Sequence, residues 1–123
     1  PITFYGDGKQ VRDVLHVRDL IKAYNSAFES MPRIKGQIYN IGGGPDNTLS
    51  LRELIKELEE LSRKRISPNL GEWRPGDQKV CILDIRKAKK DFLWAPKINP
   101  HQGIKSLYSW FYKDKEQIKK LFQ

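Results

Sequence analysis

The chain has 123 residues, of which 38% are hydrophobic and 31% charged, a composition that predicts one globular domain and excludes intrinsic disorder. Its net charge of +8 leaves nucleic acid, anionic membranes and phosphorylated metabolites open as partners. The single cysteine, Cys81, excludes an intrachain disulfide and a cysteine-rich zinc site, and its apolar neighbours predict a buried structural thiol. We find no apolar run of membrane-spanning length and no signal peptide, so we expect a cytoplasmic protein without a membrane partner.

The first third of the chain predicts two short extended segments and a helix. Residues 2–5 and 11–17 are β-prone runs on either side of a Gly-Asp-Gly turn. From Val17 the apolar residues recur at intervals of three and four, which predicts a helix that ends near Ser30, before Pro32. Its apolar positions are Val17, Leu20, Ile21, Tyr24, Ala27 and Phe28.

The middle third predicts a strand, a glycine loop and a capped helix. Residues 37–41 have the composition of a strand, and residues 42–47, with three consecutive glycines and a proline, cannot continue it. Ser50 followed by Glu53 is a capping box, which predicts the start of a helix. The expected buried stripe of this helix is Leu51, Leu54, Ile55, Leu58 and Leu61.

The last third predicts a turn at residues 74–77, a strand at residues 80–83 and two helices, the first capped by Asp84 and the second beginning after Pro100. The residues expected to face inward are Ile85, Ala88, Phe92 and Leu93 in the first helix, and Ile104, Leu107, Tyr108 and Phe111 in the second. The lysine-rich residues 113–123 are expected to form a frayed tail, although Ile118, Leu121 and Phe122 keep helical spacing.

Alternating strands and helices indicate an α/β fold, or α+β in isolation, with short strands and about four helices. So few strands leave sheet edges exposed unless another part of the protein or a second copy covers them. A homo-oligomer is therefore possible.

The turn at residues 74–77 carries a cation and a carboxylate three residues apart. Pro75 fixes one backbone dihedral and Gly76 permits another, so Arg74 and Asp77 can converge on one ligand. An arginine fork matches phosphate oxygens, whereas a carboxylate accepts hydrogen bonds from ribose hydroxyls. The alternative is an ordinary surface salt bridge across the turn.

A second arginine follows the Gly-Asp-Gly turn near the start of the chain. Arg12 lies on an extended segment that should direct its side chain to the same face as Val14 and His16. It is a candidate second phosphate ligand, or simply a solvated residue after a hairpin turn. His16 and His101 are better explained as structural residues than as catalysts.

Three other features have a functional and a structural explanation. Trp73 could stack on a base or sugar, or be a partly buried anchor. The triple glycine at residues 42–44 resembles a phosphate cradle, but it lacks the Lys-Ser/Thr and the Gly-x-Gly-x-x-Gly spacing of known cradles. The basic run at residues 86–90 is either a solvated helix face or a weak attractor of polyanions.

The order of four motifs resembles one family of enzymes. These motifs are Gly-Asp-Gly-Lys-Gln-Val-Arg-Asp-Val-Leu-His-Val-Arg-Asp-Leu from Gly6, Tyr-Asn-Ile-Gly-Gly-Gly from Tyr39, Trp-Arg-Pro-Gly-Asp-Gln from Trp73 and Asp-Ile-Arg-Lys-Ala from Asp84. Together they resemble the C-terminal part of the extended short-chain dehydrogenases/reductases, in the NAD-dependent nucleotide-sugar epimerase/dehydratase family. The segments around the triple glycine and Trp73 are most similar to the branch that epimerises CDP-hexoses at C-2.

The resemblance implies roles for five residues. Arg12 and Arg74 would hold the pyrophosphate, and Asp77 the ribose. Thr3 and Tyr5 would lie on the strand whose main chain reads the edge of the base. In such enzymes NAD takes a hydride from a sugar carbon and, in an epimerase, returns it to the other face. A 4-epimerase, a dehydratase or a decarboxylase of a UDP- or dTDP-sugar remains the alternative within the family. A basic nucleic-acid-binding module is the alternative from another class, although aromatics interleaved with lysine and arginine are missing.

The family's glycine-rich NAD fingerprint and its Ser/Thr and Tyr-x-x-x-Lys residues lie upstream of these motifs, and the sequence contains none of them. The chain begins at Pro1 rather than Met, so we expect a piece of a larger enzyme, inactive alone, with no catalytic residue, cofactor or metal of its own. Its partner would be an N-terminal Rossmann domain whose sheet edge includes the helix from Val17 and residues 37–41. Residues 1–112 would form the substrate-binding portion.

Overall fold

The computed structural model describes residues 2–121, which contain five short strands and six α-helices. The strands are β1 (Thr3–Tyr5), β2 (Val11–Asp13), β3 (Thr48–Ser50), β4 (Asn69–Gly71) and β5 (Val80–Cys81). The helices are α1 (Val17–Glu29), α2 (Met31–Ile34), α3 (Leu51–Ser62), α4 (Arg86–Phe92), α5 (Pro100–Lys113) and α6 (Lys115–Lys120), with a 3₁₀ turn at Pro45–Asn47. This mixed architecture confirms the predicted fold class.

The strands form two small sheets that bring distant segments together. β1 pairs in parallel with β4, so that Tyr5 lies opposite Gly71. β2 is the centre of the other sheet, antiparallel to β3 and parallel to β5, with Arg12 opposite Cys81. Both β4 and β5 flank the turn at residues 74–77, so the two sheets fix the position of that turn from both sides.

Two helices begin with reciprocal side-chain caps. The Ser50 hydroxyl accepts from the Glu53 N–H while the Glu53 carboxylate accepts from the Ser50 N–H, as the capping box predicts. Asn99 and Gln102 form the same pair at the start of α5. Asp84 accepts from the Arg86 N–H at 3.0 Å, although the N-cap position of α4 is Ile85.

The main core lies between α1, α2 and α4 and includes one buried carboxylate. Asp19 is 0% exposed, and its Oδ2 accepts from the N–H groups of Lys97 and Ile98, both at 2.8 Å. Its main-chain oxygen accepts from the Trp94 indole at 2.9 Å. Helix α1 therefore holds the 94–98 loop against the core. The apolar core members are Ala23, Ile34, Ala88, Phe92 and Trp94.

The span of α1 agrees with the predicted helix, but most of the residues in its predicted apolar stripe are exposed to solvent. Ala23 is buried against the core, whereas Tyr24 and Phe28 are 66% and 77% exposed. Val17 and Ile21 are exposed on the same stripe. The side of the helix that carries Asp19 and Ala23 faces the core because Trp94 and the 94–98 loop are anchored there.

Several sequence predictions were wrong in detail. Residues 37–41 form no strand, because no strand within residues 2–121 pairs with them. The predicted strand at 80–83 stops at Cys81, whose side chain is half-buried rather than buried. Leu93 is exposed because it takes the left-handed conformation that ends α4, at φ 56°.

The C-terminal helices also differ from expectation. Leu107 and Phe111 are exposed, whereas Ile104 and Tyr108 of the same predicted stripe are half-buried. Residues 115–120 form α6, with Ile118 buried, where a frayed tail was expected. Leu121 is exposed, and Phe122 lies outside the described residues.

Candidate functional site

The turn at residues 74–77 is closed by its own backbone. The Asp77 N–H donates to the Arg74 carbonyl at 3.1 Å, and Gly76 supplies the left-handed residue at φ +79° that such a turn needs. Across the turn, Arg74 Nη2 lies 3.3 Å from Asp77 Oδ2. The local ion pair that the sequence allowed is therefore present.

A second arginine reaches the same carboxylate from another part of the chain. Arg12 Nη2 lies 3.5 Å from Asp77 Oδ1, so each arginine uses a different oxygen of Asp77. The Val11 N–H donates to the Lys79 carbonyl at 2.9 Å, which aligns β2 with the segment that follows the turn. The Asp77 side chain is 15% exposed, whereas the Arg74 side chain is 63% exposed. A shielded carboxylate is thus paired with two more accessible guanidinium groups. We call Arg12, Arg74 and Asp77 the clamp.

The Tyr5 ring lies beneath one of these cations. The Arg74 guanidinium carbon is 4.8 Å from the ring centroid, within the range of a cation–π contact. The ring also approaches Gly71, where an added Cβ would lie 3.3 Å from Tyr5 Cδ1. Sequence reasoning considered only the main chain of Tyr5, because pairing between residues 5 and 74 depends on the β1–β4 register.

The residue before Arg74 locks the two turns together. The Trp73 indole covers Gly6 so closely that a Cβ on Gly6 would lie 2.4 Å from the ring. Lys79 Nζ lies 5.8 Å from the same ring. Trp73 is thus an anchor, and it contributes to a cavity of about 260 Å³. The residues lining that cavity are Asp7, Lys9, Gln10, Trp73 and Lys79.

The structure brings together four of the five predicted site side chains. Arg12, Arg74 and Asp77 form the clamp, and Tyr5 supports Arg74. Thr3 begins β1 on the same side of the strand as Tyr5, because the residues are two apart, and it is solvent-exposed.

The two histidines have structural partners. His16 Nδ1 accepts from the Arg18 N–H at 3.1 Å and caps α1. His101 Nδ1 lies 3.3 Å from Glu57 Oε2, between α5 and α3. Neither histidine contacts the clamp residues.

The triple glycine is packed as a structural crossing. A Cβ on Gly43 would lie 2.2 Å from the Val14 carbonyl oxygen, and one on Gly42 would lie 2.4 Å from Asp13 Oδ2. The Gly44 N–H donates to Asp13 at 2.9 Å, so its donor is already used. These glycines allow close approach to the end of β2 and to Val14, which follows it.

Residues 2–121 contain neither a clustered metal site nor a membrane-spanning helix. This part of the chain contains no group of three or more His, Cys, Asp or Glu side chains placed to hold a metal ion. Within the same residues, no helix is both long and apolar enough to cross a membrane.

Comparisons with known sequences agree with the order of the motifs. The chain is 40% identical over 110 residues to CDP-paratose 2-epimerase of Salmonella typhi, a match that covers 89% of the chain and 32% of that enzyme. It is 33% identical over 121 residues to UDP-glucuronate 4-epimerase of Thermodesulfobacterium geofontis, covering 98% of the chain and 36% of the enzyme. The chain therefore spans about a third of the length of these relatives.

Solved structures share the fold. UDP-glucuronic acid 4-epimerase from Bacillus cereus, in complex with UDP-glucuronic acid and NAD, superposes with a TM-score of 0.82 at 31% identity, over 92% of this chain and 35% of that one. The epimerase Mth375 from Methanothermobacter thermautotrophicus, at 23% identity, gives a TM-score of 0.85 over 98% of this chain and 35% of that one, and supports the fold alone.

The family model for GDP-mannose 4,6 dehydratase matches residues 1–107. Because this match covers most of the chain, the chain belongs to that family, the NAD-dependent nucleotide-sugar epimerases and dehydratases of the extended short-chain dehydrogenase/reductase class.

Proposed function

We propose that residues 1–112 form the nucleotide-sugar-binding portion of an NAD-dependent epimerase, with residues 113–123 as a basic extension. Arg12 and Arg74 would bind the diphosphate, Asp77 the ribose, and the main chain at Thr3 and Tyr5 the edge of the base. The observation that carries the proposal is the convergence of two arginines, one on strand β2 and one on the turn at residues 74–77, on one shielded carboxylate.

The geometry suits a ligand that carries both phosphates and hydroxyls. In the free chain Asp77 balances part of the charge of the two arginines, each at 3.3–3.5 Å. A diphosphate offers more negative charge and accepts bidentate bonds from each fork, so it would draw the arginines away from Asp77. The Asp77 oxygens then become available to accept from ribose hydroxyls. This exchange of partners would thus position both the diphosphate and the ribose of the ligand.

We propose CDP-linked hexose as the substrate and 2-epimerisation as the reaction, because CDP-paratose 2-epimerase is 40% identical to this chain. The Bacillus cereus relative is a UDP-sugar enzyme solved with NAD, so a UDP-sugar 4-epimerase is the second candidate. The triple glycine packs closely on Val14 and Asp13, so we do not propose it as a phosphate cradle for NAD. Cofactor and catalytic residues would come from outside this chain, which alone would be inactive.

The first test measures ligand binding to the chain by calorimetry and by thermal stability. CDP should bind and raise the unfolding temperature, because a ligand that binds only the folded state stabilises it. A parallel titration with UDP shows which of the two bases binds more tightly. A random oligonucleotide of equal phosphate concentration tests the nucleic-acid alternative. Oligonucleotide binding without any CDP effect would contradict the proposal, and tighter UDP binding would favour the second candidate.

The clamp variants divide the ligand into its parts. Arg74→Ala should weaken CDP binding about ten- to a hundredfold, the range expected for loss of hydrogen bonds to a charged group. Asp77→Ala should weaken CDP about tenfold, the low end of the range for a hydrogen bond to a charged group, but should not weaken inorganic pyrophosphate, which lacks ribose and is repelled by the carboxylate.

The matched control is the exposed pair of Asp84 and Arg86, which is also an ion pair of an aspartate and an arginine and lies at the start of α4. Arg86→Ala and Asp84→Ala should leave CDP affinity unchanged. If Arg74→Ala behaves like Arg86→Ala, the site assignment is wrong.

A further inference from the structure

We infer that the Tyr5 side chain is a positioning residue, whose ring holds the Arg74 guanidinium in the orientation that binds the diphosphate. The inference rests on the proposed function of the clamp. It assigns a role to the ring itself, separate from the main-chain role of Tyr5 along the base.

The strand that carries the ring is held by hydrogen bonds to its main chain. Tyr5 lies opposite Gly71 in the β1–β4 ladder, and the Gly6 N–H donates to the Gly71 carbonyl at 2.8 Å. The Tyr5 carbonyl accepts from the side-chain amide of Gln10 at 2.9 Å, and Gln10 is buried. A Cβ on Gly71 would lie 3.3 Å from the ring, so glycine allows the ring to lie close to β4. The base of the ring is therefore fixed before any ligand arrives.

Arg74 needs such a platform because its own surroundings constrain it little. Its side chain is 63% exposed, and Asp77 and the Tyr5 ring are the contacts that the described residues provide for it. A long side chain with this freedom loses rotamer entropy when it binds a phosphate. Stacking on a ring at 4.8 Å restricts the guanidinium in advance and so reduces that loss.

An aromatic ring also suits this task better than a carboxylate. Asp77 attracts Arg74 but neutralises it, and any phosphate must compete with Asp77 for the same N–H groups. The face of a tyrosine ring attracts a cation while leaving the edges of the guanidinium free to donate. The two contacts of Arg74 therefore divide: the one with Asp77 exchanges with ligand, and the one with Tyr5 persists.

The variant that tests the inference is Tyr5→Ile, because a β-branched residue keeps the strand and removes the ring. We expect CDP to bind about two- to fivefold more weakly, the range for an exposed cation–π contact. Tyr5→Phe keeps the ring and should bind like wild type. Thermal unfolding without ligand shows whether each variant is folded.

A double-mutant cycle separates positioning from general damage. If the ring acts through Arg74, Tyr5→Ile should have no further effect on CDP affinity when Arg74 is already alanine. An equal loss in both backgrounds would overturn the inference. So would wild-type affinity in folded Tyr5→Ile, while leaving the clamp itself supported. Absence of CDP binding by wild type would instead overturn the proposed function, and the inference with it.

A measurement on the unmutated chain covers the case in which Tyr5→Ile does not fold. The ring should shift the NMR signals of the Arg74 side-chain protons upfield, both in the free chain and with saturating CDP. An upfield shift that disappears on CDP binding would show that the contact is broken in the complex and would overturn the inference.

Discussion

Two carboxylates in this chain are held in opposite ways, and the contrast separates a structural site from a ligand site. Asp19 is completely buried, and main-chain N–H groups of Lys97 and Ile98 donate to it. Asp77 is 15% exposed, and its charged partners are the exposed side chains of Arg12 and Arg74. The first set of donors is fixed by the fold, whereas the second can turn to another anion.

The comparison teaches that the kind of donor matters more than the charge of the acceptor. A main-chain N–H that loses its acceptor in the interior stays unpaired, at a cost of about 1–3 kcal/mol. An exposed arginine that loses its carboxylate is hydrated instead, so an exposed ion pair contributes only about 0–1 kcal/mol. Asp19 should therefore stabilise the fold, while Asp77 is free to serve binding.

The largest expected effect is that of Asp19→Ala. The variant leaves the N–H groups of Lys97 and Ile98 without their acceptor, so we expect the free energy of unfolding to fall by about 3–5 kcal/mol. Urea denaturation at neutral pH measures this loss. Asp77→Ala is the matched control and should lose at most about 1 kcal/mol. Equal losses in the two variants would remove the distinction between the sites.

The sequence predicts contacts between residues close together in the chain better than contacts between residues far apart. The capping box of Ser50 and Glu53 joins residues three apart and was predicted. The ion pair of Arg74 and Asp77 has the same spacing and was one of the two alternatives for that turn. The resemblance implied that Arg12 and Asp77 bind one ligand, but nothing in the spacing of residues 65 positions apart brings them together.

The features that were missed depend on partners far along the chain. The sequence analysis assigned no role to Asp19, because its acceptor role depends on the backbone of residues 97–98. The exposed stripe of α1 has a helical period whichever side faces the core, so periodicity alone could not orient the helix. Residues 37–41 have strand composition, but a strand also needs a neighbour to pair with.

The second expected effect tests how firmly the clamp is held. Gly6 has φ +94° and is covered by Trp73, so Gly6→Ala meets both backbone strain and a clash, and should lose about 2–3 kcal/mol of unfolding free energy. Gly36 has φ +77° with nothing within 4 Å, so Gly36→Ala tests strain alone, at about 1 kcal/mol. Both values come from urea denaturation.

The same pair of variants also reports on binding. Gly6→Ala should weaken CDP, since displacing Trp73 moves the adjacent Arg74, whereas Gly36→Ala should bind like wild type. If Gly6→Ala lost stability but kept full CDP affinity, the contact between Trp73 and Gly6 would be structural only.

The smallest effect concerns a third carboxylate, which is exposed and bound by a side chain. Hydrogen bonds from Arg86 lower the pKa of Asp84 from 3.8 to about 2. A carboxyl whose pKa is lowered in the folded state contributes stability above its unfolded pKa and loses it as the pH falls toward the folded value.

Replacing Arg86 with alanine should return the pKa of Asp84 toward 3.8, as carbon-detected NMR titration of the Asp84 carboxyl would show. The difference in unfolding free energy between wild type and Arg86→Ala should then be small, present above about pH 4 and gone by about pH 2. A difference that grows on acidification would have the wrong sign. Unlike the loss of Arg74, the loss of Arg86 should leave CDP affinity unchanged. Arg86 pairs with Asp84 at the start of α4, and this exposed pair does not include any clamp residue.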